Sequence, residues 1–273
     1  MPRQRRIDPV GGYHHVMNRG ANRQTVFLND ADRVEFGRLL GDIHERFAVT
    51  TLAYCLMGNH YHLLLHCPNG GLSRAMQHLG GIYTEHINER HRRDGALFRG
   101  RFTSIPVDSD SYLLCAARYI HRNPLDLPGV ADLGEYRWSS HRTYLGHRHR
   151  PLWLDTETVL RHFGERAAFD SFVRGTDALP PAAEAGQADI SRLVELAIAV
   201  HVDDDRPAQW AGRTIAHLLD AEGIAPGSGL PGHGTSARRS ALARARRRVR
   251  DNPEIGAALT MVRDALEVRS DVA

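Results

Sequence analysis

The sequence predicts an α+β protein whose first half builds a split βαβ sheet and whose end forms a smaller all-α domain. Three observations carry this. Over residues 1–150, short β-rich apolar runs alternate with runs of helical spacing in the order strand, helix, strand, strand, helix, strand, helix. Gly175–Asp189 (GTDALPPAAEAGQAD) then lacks large apolar residues and is rich in Pro, Ala and Gly, as a linker is. Beyond it the apolar spacing is helical throughout. The expected boundaries are a domain over 1–150, a connecting segment and linker over 151–189, and a helical domain over 190–273.

Each element has its own punctuation. Tyr13–Asn18 (YHHVMN) is entered through Gly11-Gly12 and left through Arg19-Gly20, as a strand is. Asn29-Asp30 caps a helix to about Phe47, with Val34, Leu39, Leu40 and Ile43 as its apolar stripe. Thr50–Met57 and Tyr61–Cys67 flank Gly58-Asn59 and read as a hairpin in the middle of the sheet. Leu72 to about Arg93 is helical through Met76, Leu79, Ile82, Tyr83 and Ile87. Ala96–Val107 returns as a strand, and Asp108 or Ser109 caps a helix that reaches His121 and stops at Pro124. This is the element order of a ferredoxin-like sheet with an added helix. Ile190–His201, Ala208–Ala221, Ala237–Arg250 and a last run from about Pro253 to Val268 are the expected C-terminal helices.

Composition narrows the setting. With 42% hydrophobic and 25% charged residues the chain is an ordinary globular one. No apolar run approaches the roughly 20 residues that span a bilayer, and the basic N-terminus precedes no signal-like apolar core. Cys55, Cys67 and Cys115 form no CxxC pair, and an odd count disfavours a disulfide framework. A cytoplasmic protein without a membrane partner is the expectation. Net charge is only +3, but residues 1–150 hold 20 arginines against 14 acids. No lysine occurs, a usage that suits phosphate contacts and that genomic base composition explains equally well. Thirteen of the 17 histidines also lie before residue 151, so chemistry is sought there.

Two short motifs offer it. On a strand, His60 and His62 point to one face and can share a divalent metal, while Tyr61, Leu63 and Leu65 enter the core. The same spacing fits two satisfied histidines on a half-exposed strand. Tyr119 and Asn123 lie four apart, on one face of the helix ending at Pro124. That face offers a phenol for covalent phosphoryl transfer beside an amide oxygen able to ligate a metal. A core tyrosine followed by a helix-ending Asn-Pro is the plainer alternative. Tyr112, one heptad earlier, is a rival nucleophile but has Ala116 where Tyr119 has Asn123.

These motifs and their companions closely resemble the single-tyrosine HUH transposases of the insertion-sequence-200-like kind, most of all the REP-associated tyrosine transposases. The match runs through Gly12–Val16 with Arg19-Gly20, Met57–Leu63, Gly95–Arg99 with Arg101-Phe102, Tyr119–Pro124 and Trp138–Ser140, over about residues 3–150. The resemblance implies a ferredoxin-like sheet with His60 and His62 binding Mg²⁺ or Mn²⁺ and Asn123 as third ligand. It implies that Tyr119 attacks single-stranded DNA to leave a 5′-phosphotyrosine and a free 3′-hydroxyl, at a target carrying a hairpin. It leaves open whether the protein acts as a monomer or a homodimer. No matched position departs from the pattern. Arg99, Arg101, Arg118 and Arg122 are candidate phosphate contacts, and Arg3, Arg5 and Arg6 could reach a hairpin.

Residues 190–270 faintly resemble the helical DNA-binding domain of the initiator DnaA. Seven of the thirteen residues from Arg238 to Arg250 are arginine, among them Arg244, Arg247 and Arg248, with Leu242, Ala245 and Val249 as an apolar stripe. Such a helix can lie on phosphates, or it can be a solvated face of a bundle. Two other functions compete with strand transfer. One is a DNA-binding regulator that does not cut. The other is a zinc hydrolase in which another histidine, such as His14 or His66, joins His60 and His62.

Overall fold

The computed structural model describes residues 8–175, 187–202, 208–223 and 235–266. The chain divides into two compact units, Met1–Glu184 and Ala185–Ala273. The first contains β1 (Gly12–Arg19), α1 (Asp30–Phe47), β2 (Thr50–Leu56), β3 (His60–Cys67), α2 (Leu72–His91), β4 (Thr103–Val107) and α3 (Asp110–Arg122). Three short helices follow: α4 (His141–Tyr144), α5 (Glu157–Leu160) and α6 (Arg166–Arg174).

The sheet has the order β2-β3-β1-β4, and every pair is antiparallel. This is the α+β, ferredoxin-like arrangement that the element order implied. The β2–β3 hairpin lies at an edge, not in the middle, because β1 pairs with β3 on one side and β4 on the other. The outer rim of β2 is nonetheless covered. Thr51 pairs with Leu154 and Cys55 with Ser139 in isolated bridges. An exposed strand edge is a template for unwanted pairing, and these segments occupy it.

Strand alternation assigns the two faces. Val16, Tyr61, Leu63 and Leu65 enter a core shared with Phe36, Leu39, Leu40 and Ile43 of α1 and with Met76, Leu79, Tyr83 and Ile87 of α2. The helix α1 starts as expected at a capping box between Asn29 and Asp32. Buried Asp32 also accepts from His91 Nε2 at 2.9 Å, tying α1 to the end of α2. Val34, expected in the apolar stripe, is exposed: it lies off the face on which Phe36, Leu39 and Leu40 are buried.

The strand expected over Ala96–Val107 begins only at Thr103. Leu97 and Phe98 spend their apolar surface in the core rather than in a ladder, and Gln24 Nε2 donates to the carbonyls of Ala96 and Leu97 at 3.0 and 2.7 Å. Gly95, at φ +86°, gives the turn into this loop a conformation that side chains rarely adopt.

The opposite face carries α3, capped by Ser109, whose hydroxyl accepts from Tyr112 N at 3.1 Å. It packs on β2 and β3 and beneath α5 and α6. Residues 151–174, expected as a connecting segment, thus belong to the packed body. Asp155 N donates to Thr51 O at 2.8 Å, and Phe169, Phe172 and Val173 are buried at helical spacing. Of the expected linker Gly175–Asp189, residues 176–186 lie outside the described residues and 187–189 open the helix Gln187–His201.

The second unit contains α7 (Gln187–His201), α8 (Ala208–Ala221), α9 (Ser236–Asp251) and α10 (Pro253–Leu266). Leu193, Ala197, Ile215, Leu219, Ile255, Leu259 and Val262 are buried in it, and Thr235 caps α9 through Arg238 N at 3.1 Å. The Gly/Pro-rich stretch 224–234 lies outside the described residues. Among the described residues no helix is long and apolar enough to cross a membrane.

Candidate active site: a histidine pair beneath the tyrosine helix

The strand β3 turns His60 and His62 to the face opposite the Tyr61–Leu63–Leu65 core, toward α3. The antiparallel register sets Arg19 across from His60 and Met17 across from His62, with His15 on the same face. From above, α3 presents Tyr119. Asn123 follows one residue beyond the helix but keeps helical torsions, φ −49° and ψ −35°, before Pro124 ends the run. Its side chain therefore stays on the face of Tyr119.

These groups meet. The Tyr119 hydroxyl lies 3.2 Å from His62 Nε2 and accepts from Asn123 Nδ2 at 2.7 Å. Asn123 Oδ1 lies 3.1 Å from His60 Nε2. Behind them, His62 Nδ1 is 3.3 Å from His15 Nε2, and His60 Nδ1 is 2.7 Å from Asn59 Oδ1. Tyr112 is fully buried.

The network specifies protons as well as positions. Asn59 Nδ2 donates to Arg23 O at 3.4 Å, which leaves its Oδ1, a pure acceptor, facing His60. The His60 proton therefore sits on Nδ1, and Nε2 carries a lone pair. Asn123 donates to Tyr119 through Nδ2, so its Oδ1 also turns a lone pair toward His60. Two lone pairs 3.1 Å apart repel unless a cation lies between them, and cis ligands of one ion about 2.1 Å away would stand about 3 Å apart. The residues thus fit a divalent metal. Burial holds His60 neutral, at about 4; the Asn123 oxygen pulls upward, and the charge of Arg19 adds to the lowering. Burial takes His15 lower still, to about 3. Both are free-base imidazoles at neutral pH, the form in which His60 can ligate.

His15, Asn59 and Arg19 escaped the reading of the sequence as site residues. Their only signal was membership of the Gly12–Gly20 and Met57–Leu63 motifs.

The arginines divide. Arg101 is exposed and Arg99 half-buried, on a loop joined to β1 where Arg99 N donates to Arg19 O at 2.9 Å. Arg118 is not a phosphate contact: it is 1% exposed, with its guanidinium 5.2 Å over the Phe172 ring. Arg122 is turned to α6, where Nη1 donates to the carbonyls of Val173 and Arg174 at 2.9 and 3.1 Å. Both were read as surface residues because α6, which covers them, comes some fifty residues later. On α9, Arg244 and Arg247 are exposed, whereas Arg248 is half-buried and reaches Thr214 Oγ1 at 3.4 Å. Arg3, Arg5 and Arg6 lie outside the described residues.

Neither His14 nor His66 can join the pair. His14 is on the other face of the sheet from His60 and His62. His66 stacks on Tyr13, with centroids 4.3 Å apart, four residues and roughly 13 Å along β3 from His62.

Residues 10–123, which include all of this site, match the family described as "Transposase IS200 like". This part of the chain is similar to IS200-like transposases. The domain is also similar to a solved structure of a REP-associated tyrosine transposase bound to a REP hairpin, with 16% identity and a TM-score of 0.48 over 57% of this chain and 93% of that one. No curated protein matches the chain.

Proposed function

We propose that this domain is a metal-dependent, single-tyrosine nuclease and strand-transferase acting on single-stranded DNA that carries a hairpin. One observation carries the reading: the Tyr119 hydroxyl is held between His62 and Asn123, beside the facing lone pairs of His60 and Asn123.

His60, His62 and Asn123 would hold the cation, Mg²⁺ or Mn²⁺ by the resemblance. When bound, it supplies Lewis-acid polarisation of a phosphate oxygen. The chain's own groups do the rest. Asn123 and His62 aim the Tyr119 oxygen at phosphorus, and His15 fixes the ring of His62 from behind. Attack forms a Tyr119 O–P bond and breaks the bond to the 3′ oxygen, giving a 5′-phosphotyrosine and a 3′-hydroxyl. The phenol loses one proton and the 3′ oxygen gains one. One phosphodiester replaces another, so the reverse step joins a strand without ATP. Arg99 and Arg101 would meet the DNA backbone beside the site, and the exposed arginines of α9, Arg244 and Arg247 among them, would give a second contact. The three buried free cysteines fit a reducing compartment such as the cytoplasm.

The test is a denaturing gel with labelled single-stranded hairpins from the source genome and Mg²⁺ or Mn²⁺. A denaturation-resistant protein–DNA band with the native chain, absent from Tyr119→Phe and His60→Ala, is the expected result. Retardation on a native gel without any covalent band, across several hairpins and both metals, would instead establish a DNA binder that does not cut.

A further inference from the structure

A second cluster of metal-ligating groups stands on the far side of the sheet. Asp8, His14 and Cys67 each turn one ligand atom to a common point, all within 4.8 Å of one another. We propose that these three residues form a Zn²⁺ site distinct from the Tyr119 centre. It rests on none of the reasoning about Tyr119.

The register explains why they meet. Cys67 pairs with Gly12 across β1 and β3, and His14 follows Gly12 by two residues, so both side chains project from the α1/α2 face. His60 lies at the opposite end of β3 and on the other face, roughly 20 Å away. Gly12 is needed as well as tolerated, because a Cβ there would stand 2.9 Å from His14 Nε2. The missing side chain lets the imidazole lie across position 12 toward Cys67. Asp8 arrives on the segment before β1, which is tied to β3 by Gly11 N donating to Cys67 O and Pro68 O, each at 3.0 Å.

The imidazole points to a ligand. His14 is 0% exposed, yet its Nε2 has no hydrogen-bond partner among the described residues, and neither has Asp8 Oδ1. The two atoms are 3.9 Å apart, beyond hydrogen-bonding range and close to the roughly 3.3–3.6 Å between two ligands of one tetrahedral Zn²⁺. Such buried atoms call for a partner. The other ring nitrogen, Nδ1, lies 3.3 Å from Ser104 Oγ, the outer contact that metal-ligating histidines commonly make. Thiolate, imidazole and carboxylate together select a borderline-soft divalent ion. The Asp8 side chain is 21% exposed, which gives the ion an entry path and a place for water as fourth ligand.

The experiment is a Co²⁺ titration of the full chain carrying His60→Ala and His62→Ala, so that the other histidine pair contributes nothing. One equivalent is expected to give thiolate-to-cobalt charge-transfer absorption with tetrahedral d–d bands, and Zn²⁺ is expected to displace it. The charge-transfer band should vanish in Cys67→Ala. His14→Gln and Asp8→Ala should weaken binding about tenfold or more. Asp8 stands outside the sheet, so its variant reports on the site even if a core variant fails to fold. A natively folded chain with no charge-transfer band, or a band that survives both Cys67→Ala and Asp8→Ala, would overturn the site.

Discussion

At Asn59 a side chain that touches neither Tyr119 nor Asn123 decides which nitrogen of His60 is bare. Without its oxygen the imidazole can place its proton on Nε2, where it would block a metal. Asn59→Ala is therefore expected to weaken Mn²⁺ binding by about 10–100-fold with the fold intact, a loss that isothermal titration would measure. Unchanged affinity would mean that the tautomer is set elsewhere. The His60–His62 pair and the Tyr119–Asn123 pair were legible in the sequence, because periods of two and 3.6 residues are local rules. The support from His15 and Asn59 was not, since it comes from register and from the turn that opens β3. Arg118 marks the opposite error. A charge beside Tyr119 reads as a phosphate contact until an aromatic residue far along the chain covers it.

The helix α3 is held to the sheet through Ser140. Its hydroxyl accepts from Tyr54 N at 2.9 Å on the rim of β2 and meets His121 Nε2 at 2.7 Å. The Trp138–Ser140 motif thus supports the helix that carries Tyr119 without touching Tyr119. Ser140→Ala leaves buried groups unpaired and is expected to cost about 1–3 kcal/mol in urea unfolding. A loss within experimental error would show that packing alone holds α3. His121 and its neighbour His141, with ring centroids 5.4 Å apart, are both held below the ordinary imidazole range, first of all by burial. The unfolded chain binds protons below about pH 6.5 that the folded chain refuses, so stability is greatest above that pH and falls as pH drops. The limiting slope is about 1.4 kcal/mol per pH unit for each histidine. His121→Asn should make the decline shallower in urea titrations from about pH 7.5 to about 5; an unchanged slope would place the acid sensitivity in other groups.

For the whole molecule, element order sufficed for the sheet, since few antiparallel topologies accommodate it. It did not show that residues 151–174, expected as a connecting segment, complete the first unit, because the burial of Phe169, Phe172 and Val173 depends on α3 being placed against them. The second unit bears the clearest electrostatic prediction. Arg239, Arg244, Arg246, Arg247 and Arg250 are exposed along α9, whereas Arg238 is spent on Asp220 at 3.2 Å. If α9 lies on phosphates, Arg246→Ala with Arg250→Ala should lower the salt dependence of DNA affinity by about one unit of logarithmic slope per arginine, read by fluorescence anisotropy. The covalent band should persist in that variant. An unaltered slope would make α9 a solvated face.

The mooring of α3 also bears on how the proposed site would be assembled. Only Asp108 and Ser109 separate β4 from α3, while Ser140 grips His121 and α6 takes Arg122. A helix tethered closely at its start and held twice in its last turn is poorly suited to being lent to a neighbour. On the proposed function each chain would then supply nucleophile and ligands for itself, and two differently crippled copies would not repair one another. A mixture of Tyr119→Phe and His60→Ala chains should stay as inert as either alone.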